Sequence, residues 1–392
     1  FLVKYQKSHK AFKNSIVFLP IIFYGFVDLL YGGNYPFGSG NGNVNSGLNT
    51  NPNLIANTQI TWERTKQVNY GLDVAAFKNR VNLAVDVYSS TTEALLLQQP
   101  SMAFTGGLFF NNNIGRIQNS GVEVELSSIN VTTKRFKWTT ALNFSRNKNN
   151  IIELGKELLI LNQGERTELY LNQPGNPLIQ FFGYKTDGVW LSQQEIVDAQ
   201  AKGLTTTLGS TVFVPGGLKL VDVNGDNVID ANDRTVIGNP YPKFTWGITN
   251  SFNYKSFDLS FTFQGVQGGN LINGDRNYNE PRRYIKEYTE NRWISPANSG
   301  DGKTPYSTIG YNWMLTDYAV EDASYVALRE VLLGYTVSSK LAKKVGLSGL
   351  RVYASAQNLL FFFPSGYKGL NPEARSASSF YASPLIDGYQ RG

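Results

Sequence analysis

The sequence predicts an all-β chain, a transmembrane antiparallel up-and-down β-barrel wall, on three observations. The first is strict alternation. Phe244, Trp246, Ile248, Phe252 and Tyr254 fall on one face of an extended strand, with Asn250 the one break, and Thr245, Gly247, Thr249, Ser251 and Asn253 fall on the other. After a turn at Lys255-Ser256, Phe257, Leu259, Phe261 and Phe263 alternate with Asp258, Ser260, Thr262 and Gln264. Successive side chains of a strand point to opposite faces, so this is a hairpin with one apolar and one polar wall. The second is length: each arm exceeds the roughly 5–6 residues usual in globular strands. It approaches the roughly 9–11 residues that a tilted strand needs to cross a bilayer. The third is the asymmetry of the connections, very short within each hairpin and long between hairpins, as in outer-membrane barrels.

In chain order, the apolar run at residues 16–31 is interrupted by Pro20, Gly25 and Asp28 and reads as strand and turn material. Residues 1–15 lack the order of regions of a signal peptide. A Gly/Asn-rich stretch occupies residues 38–47. A first hairpin follows. Val68, Tyr70, Leu72 and Val74 alternate with polar or small residues, a turn comes at Lys78-Asn79, and Val81, Leu83, Val85 and Val87 resume the pattern. A second has Val122, Val124 and Leu126 against Glu123, Glu125 and Ser127, turns near Thr133-Lys134, and returns through Trp138, Thr140, Leu142 and Phe144. The hairpin of residues 244–264 is the third. A fourth, less regular, joins 325–337 to 350–358 through SSKLAKKVG, a short helical turn. Long connections are expected at residues 91–120, 147–243 and 265–324, the middle one with a short amphipathic helix at 192–202. Asp86, Glu123, Glu125 and Asp258 fall on the polar faces and suit a water-filled interior.

Composition narrows the chemistry. The 392 residues include no cysteine and one histidine, His9, which removes thiolate sites, disulfides and histidine-based triads or zinc sites. The net charge of +6 is scattered without a Lys/Arg run, which argues against nucleic acid. Neighbouring carboxylates such as Glu321-Asp322 read as solvated charge, and no Gly-rich segment carries a phosphate-loop Lys-Ser/Thr pair, so no enzyme is expected. The 24 Phe, 22 Tyr and 38 Gly suit strands, turns and interfacial aromatic belts.

One motif points to a cation. With Asp222 as position one of DVNGDNVIDAND, oxygen ligands fall at Asp222, Asn224, Asp226, the Val228 carbonyl, Asp230 and Asp233. That is the spacing of a calcium loop, with Asn227 where the sharp turn needs positive φ. The alternative is a loop whose carboxylates cap main-chain amides without metal.

Several segments then resemble, in order, the SusC/RagA-like TonB-dependent outer-membrane transporters of the Bacteroidetes. They are WERT from Trp62 with Asn69, Gly71, Leu72 and Asp73; NIGRIQNSGVE from Asn113; GNPYPKFTWG from Gly238; and FDLSFTFQG from Phe257. Arg292-Trp293, Gly300-Asp301-Gly302, Tyr325-Val326 with Leu328-Arg329, Ala356-Gln357-Asn358, Gly369 and Asn371-Pro372-Glu373 complete the set. The resemblance covers residues 60–375 and implies part of a barrel of about 22 strands. It divides the chain into a poorly matching barrel strand and loop segment at 1–60 and the C-terminal part of the barrel at 61–392. The family's plug, N-terminal domain and last strand are expected outside this chain.

What the resemblance implies is TonB-dependent import of oligosaccharides or peptides across the outer membrane. The implied partners are a SusD-like surface lipoprotein, the TonB–ExbB–ExbD system and outer-membrane lipid. Aromatic rings stack on sugars, so Tyr278, Tyr284, Trp293, Tyr306 and Trp313 are candidate substrate contacts, with packing of loop on loop as the plainer role. The rival from another class is a soluble or secreted β-sandwich carbohydrate-binding module stabilised by calcium.

Overall fold

The computed structural model describes residues 2–4, 54–55, 57, 59–100, 109–155, 159–162, 169–274, 276, 286–306, 314–369, 371–373 and 389–390. The expected strand material at 16–31, the Gly/Asn stretch at 38–47 and almost all of the 1–60 segment lie outside them. Eight long strands dominate: β1 (Arg64–Ala76), β2 (Val81–Pro100), β3 (Phe109–Thr132), β4 (Phe136–Glu153), β5 (Phe244–Tyr254), β6 (Phe257–Gln267), β7 (Tyr325–Val337) and β8 (Leu350–Phe362). They are hydrogen-bonded in sequence order, each antiparallel to the next, which is the expected meander.

Register turns this sheet into a two-sided wall. One row runs across all eight strands through Val74, Leu83, Leu126, Leu142, Ile248, Phe263, Leu328 and Leu360, every member apolar. The next row, one residue along, reads Asp73, Ala84, Glu125, Asn143, Gly247, Gln264, Ala327 and Phe361. The apolar face belongs to neither hydrophobic core of the described residues, and Val68, Tyr70, Leu72, Val87, Leu333 and Val352 are exposed on it. A β-sandwich covers such a face with a second sheet about 10 Å away. Among the described residues neither hydrophobic core packs on it, and exposed apolar side chains recur along it on several strands, which a soluble monomer rarely leaves bare. Lipid is the solvent that fits, and the sandwich expectation is set aside. A trough of about 570 Å³ lies against β1 to β5, lined by Asp73, Asn82, Glu125, Ser127, Asn143 and Thr249 together with Val74, Leu83, Leu126 and Leu142.

Close to the short turns the apolar face becomes aromatic. Phe252 stacks on Trp138 at 5.6 Å and on Phe261 at 5.8 Å, and Phe257 meets Tyr335 at 4.7 Å. Asn250, the break in the alternation, accepts at Oδ1 from the Trp138 indole N–H (3.0 Å) and the Thr140 hydroxyl (2.7 Å). Thr140 in turn accepts from Asn130 Nδ2 (2.7 Å). A polar side chain facing lipid is tolerated because its partners, Thr140 in its own row and Trp138 in the next one on that face, lie beside it. Gly265 is equally specific: the Trp246 ring lies over it, and a Cβ there would be 2.2 Å from the indole.

The strands outrun the expectation. Residues 91–120 were expected to form a long loop, yet β2 continues to Pro100 and β3 begins at Phe109. There the alternation breaks, with Leu95, Leu96 and Leu97 consecutive in β2 and Asn111, Asn112 and Asn113 consecutive in β3, while the hydrogen-bond ladder continues. At 20 and 24 residues, β2 and β3 extend some 10 residues, about 30 Å, past what a bilayer needs. Beside this tall rim the 147–243 and 265–324 connections fold into a packed layer of small sheets. One combines Leu159–Asn162, Leu169–Asn172, Gln180–Gly183 and Thr235–Gly238, and another pairs Asn270–Asn273 with Val320–Asp322. The expected helix is present as α1 (Gln193–Ala201), where the Ser192 hydroxyl accepts from the Glu195 amide and Ile196 is buried. The SSKLAKKVG turn is α2 (Ser339–Lys344).

Replacing Asn250 by Ala removes the acceptor of both the indole and the hydroxyl on a lipid-facing wall. Each lost hydrogen bond costs about 1 kcal/mol. The intact protein is expected to lose its heat-resistant gel mobility at a lower temperature, and an unchanged transition would show that the network contributes nothing.

Candidate functional site

The sequence segments that mark the chain meet in space, in two places. The first is at the top of β2. There the ladder shifts at Ala94, which adopts φ 59°. Asn113 of the NIG segment reaches across: its Oδ1 accepts from the Thr61 amide (2.8 Å), and its Nδ2 donates to the carbonyls of Thr61 (2.9 Å) and Ala94 (2.7 Å). Glu63 of WERT accepts the Leu96 amide at 3.0 Å. The Asn and Glu therefore satisfy main-chain groups that the irregular ladder leaves over.

The second is centred on Arg329, which sits where the β7 ladder shifts against both neighbours. Its Nε donates to Gln264 Oε1 (2.7 Å), and its Nη1 donates to Asn358 Oδ1 (2.9 Å) and Glu373 Oε2 (2.7 Å). Nη2 is paired with Glu373 Oε1, which also accepts from the Tyr325 hydroxyl at 2.7 Å. Asn358 has φ 52° and forms the matching irregularity in β8. The chain after β8 is pinned a second time. Glu321, expected as solvated charge, is instead buried and paired with Arg276 at 3.4 Å; its carboxylate accepts the amides of Lys368 (3.2 Å) and Gly369 (2.8 Å), while its other oxygen takes Asn273 Nδ2 at 3.0 Å. Lys368 and Gly369 are thus held by Glu321 of the upper layer, and Glu373 by Arg329 of the wall. Hydrogen bonding from Arg329 holds the Glu373 carboxyl below the usual carboxylate range, against the opposing effect of burial.

The layer above the rim positions the candidate substrate residues. Trp293 is 8% exposed and packs with Tyr184, Val189, Val212, Leu218 and Ile229, its indole N–H donating to the Leu191 carbonyl at 3.0 Å. Gly216 (φ 77°) lies flat against its ring, so close that a Cβ would be 2.3 Å away. Trp293 is therefore a core residue of this layer, with no face open to a sugar. Its indole fills the space that Gly216 leaves. Tyr306 stacks edge-on against Trp293 at 6.3 Å and is 53% exposed, so it offers a ring to solvent. The Arg292 guanidinium lies over the rings of both Tyr288 and Tyr306. Tyr278, Tyr284 and Trp313 lie outside the described residues.

The loop at 222–233 is a set of carboxylate-to-amide caps. Asp222 accepts from the amides of Gly225 and Asn227, both at 2.7 Å, and Asn224 Oδ1 accepts from Asp226 (2.9 Å). Asp226 accepts from Val228 (2.8 Å) and Asp230 from Asn232 (2.6 Å). Asp233, fully buried, accepts from Val223 and Asp230, both at 2.8 Å. Asn227 has φ 64°, the positive value its position demanded. Val228–Ile229 pairs in parallel with Thr205–Thr206, whose side of the pairing uses the Asn227 and Ile229 carbonyls. The Val228 carbonyl faces the other way. Among the described residues, no three or more Asp, Glu, His or Cys side chains gather into a metal-holding group.

Two outcomes follow from this geometry. Trp293→Ala empties the core of the upper layer and costs roughly 3–5 kcal/mol. Limited proteolysis of the intact protein should then cut within 184–306, while Tyr306→Ala leaves the digestion pattern unchanged. A carboxyl with a lowered folded pKa stabilises above its unfolded pKa and loses that stabilisation as pH falls through the folded value. Amide exchange at 364–373 should therefore stay slow at neutral pH and accelerate below the usual Glu range, and Glu373→Gln should remove that pH dependence.

Comparison with known proteins agrees with the fold. Residues 22–190 match the family model described as TonB dependent receptor-like, beta-barrel. TonB-dependent receptor P3 of Formosa agariphila is 34% identical over 331 residues, covering 82% of this chain and 31% of that protein. TonB-dependent receptor SusC of Bacteroides thetaiotaomicron is 27% identical over 356 residues, 87% of this chain and 32% of SusC. The chain thus spans about a third of the length of the curated relatives it matches. The structure of the RagAB peptide transporter superposes with a TM-score of 0.62 at 21% identity, covering 86% of this chain and 34% of that one, and supports the fold. These relatives are named as receptors and transporters, not enzymes. The two-faced wall, the family match and the relatives converge: the chain belongs to the SusC/RagA-like TonB-dependent receptor β-barrels of the outer membrane.

Proposed function

We propose that the protein containing this segment imports oligosaccharides or peptides across the outer membrane by a TonB-dependent mechanism, together with a SusD-like surface lipoprotein. The observation that carries this reading is the division of labour in the wall. The apolar row meets lipid, and the row beside it carries the polar side chains Asp73, Glu125, Asn143 and Gln264 on the opposite face. A polar conduit suits solutes with many hydroxyl or amide groups. Tyr306, exposed and flanked by Arg292, is the substrate contact favoured within the described residues. The boundary between a 1–60 segment and a barrel portion at 61–392 belongs to the same reading.

Cells expressing the whole protein are expected to take up members of a panel of labelled oligosaccharides and peptides only when TonB is present. A SusD-like lipoprotein should copurify. Uptake that persists without TonB would remove the mechanism, and uptake of neither class would remove the substrate assignment.

For the loop at 222–233 we propose a calcium ion that pins the upper layer. The one, three, five, seven, nine, twelve spacing and the outward Val228 carbonyl support it, and binding requires the Asp226 and Asp230 carboxylates to turn from the Val228 and Asn232 amides toward the ion. Calorimetry on the intact protein should register calcium binding that Asp226→Ala abolishes. Equal heats for both proteins would leave the amide caps as the loop's whole role.

A further inference from the structure

The four short turns at one end of the wall carry a charge pattern that import does not use. The β1–β2 turn presents Lys78 and Arg80, and the β3–β4 turn presents Lys134 and Arg135. The β5–β6 turn adds Lys255, and α2 adds Lys340, Lys343 and Lys344. All eight are exposed, and none of these turns contains an Asp or Glu. The ion pairs of the described residues use other cations. The carboxylate nearest in sequence to the β5–β6 turn, Asp258, is taken by Arg351 at 2.5 Å. A ring of like charges repels itself and needs an anionic counterpart.

The same turns also expose apolar side chains. Phe77 is 74% exposed and Val345 67%, and Tyr254, Phe257, Leu341 and Leu347 are exposed beside the cations. Lys255 lies over the Tyr254 ring at 5.2 Å. Arg80 is held in place by donating to the carbonyls of Ile129 (3.2 Å) and Asn130 (3.1 Å). Cations interleaved with bare apolar groups fit neither open water nor hydrocarbon. They fit the boundary between headgroups and acyl chains, where the apolar part enters the bilayer and the ammonium meets phosphate. The pattern is continuous with the aromatic end of the lipid-facing rows, and it recurs on successive turns along the rim, so the membrane is the partner it matches.

We propose that this rim is a headgroup-binding collar that selects anionic phospholipids in the leaflet it meets, which by the short-turn rule is the periplasmic one. The collar rests on the outer-membrane reading of the barrel. The test uses the whole protein reconstituted into vesicles of phosphatidylcholine with a minority of phosphatidylglycerol, followed by native mass spectrometry of the lipids it retains. The wild type should enrich phosphatidylglycerol over its share of the vesicle, less so at high salt. The variant K340Q/K343Q/K344Q, altered only at exposed unpaired positions, should lose enrichment by roughly five-fold per cation removed while its heat-resistant gel mobility stays the same. K134Q/R135Q should act in the same direction on the neighbouring turn. Equal enrichment by wild type and variants overturns the proposal. So does enrichment abolished by inorganic phosphate at unchanged ionic strength, which would mark a free-anion site. Loss of a periplasmic protein from the variant's complex with its lipids unchanged would assign the collar to that protein instead. Failure of the wild type to insert into vesicles would overturn the membrane reading itself, a result distinct from insertion without lipid preference.

Discussion

In hydrocarbon no water is present to satisfy a main-chain N–H or C=O, so each must find a partner within the sheet. Most features of this chain follow from that requirement. It makes the strands long, joins consecutive strands by turns as short as Lys255-Ser256, and fixes the register that places Val74 and Leu360 at opposite ends of one apolar row. It also explains why irregularities of the ladder occur where side chains can complete it. Asn113 supplies two donors and an acceptor beside the Ala94 irregularity, and Arg329 fills the gap between β6, β7 and β8.

The wall and its surroundings were legible in the sequence to very different degrees. Where lipid bathes one face, every second residue must be apolar, and that period of two survives in the sequence almost unbroken. Asn250 was visible as an exception, but its remedy was not, because Trp138 and Thr140 are more than a hundred residues away in sequence and adjacent only across the β4–β5 pairing. Above the lipid the rule lapses. The upper parts of β2 and β3 carry runs such as Leu95-Leu96-Leu97 and Asn111-Asn112-Asn113 in place of a period of two, so a loop and a strand look alike there. Trp293 shows a third kind of opacity. An aromatic in a polar connection suggests a sugar platform, and only the left-handed Gly216 beneath its ring reveals that the connection has a core of its own. The spacing of the 222–233 loop was plain, and so was the positive φ at Asn227, since both are local.

The family segments acquire a physical meaning once folded. WERT and NIG are separated by about fifty residues, yet they are the two sides of one clasp on the β2 irregularity. The QG, LR, QN and NPE segments supply Gln264, Arg329, Asn358 and Glu373, the members of one hydrogen-bonded group. Their order along the chain records the order of strands in the sheet.

That group has a bearing on how such a chain can change over generations. Arg329 has no spare donor geometry to offer a different set of neighbours, and each of its acceptors comes from a separate hairpin or loop. Drift at one of the four positions strands the other three, so substitutions there are expected to travel together through lineages, even while the apolar row beside them exchanges Val, Leu and Ile freely. Covariation among these four columns, in any collection of related barrels, would be the inherited trace of a single guanidinium.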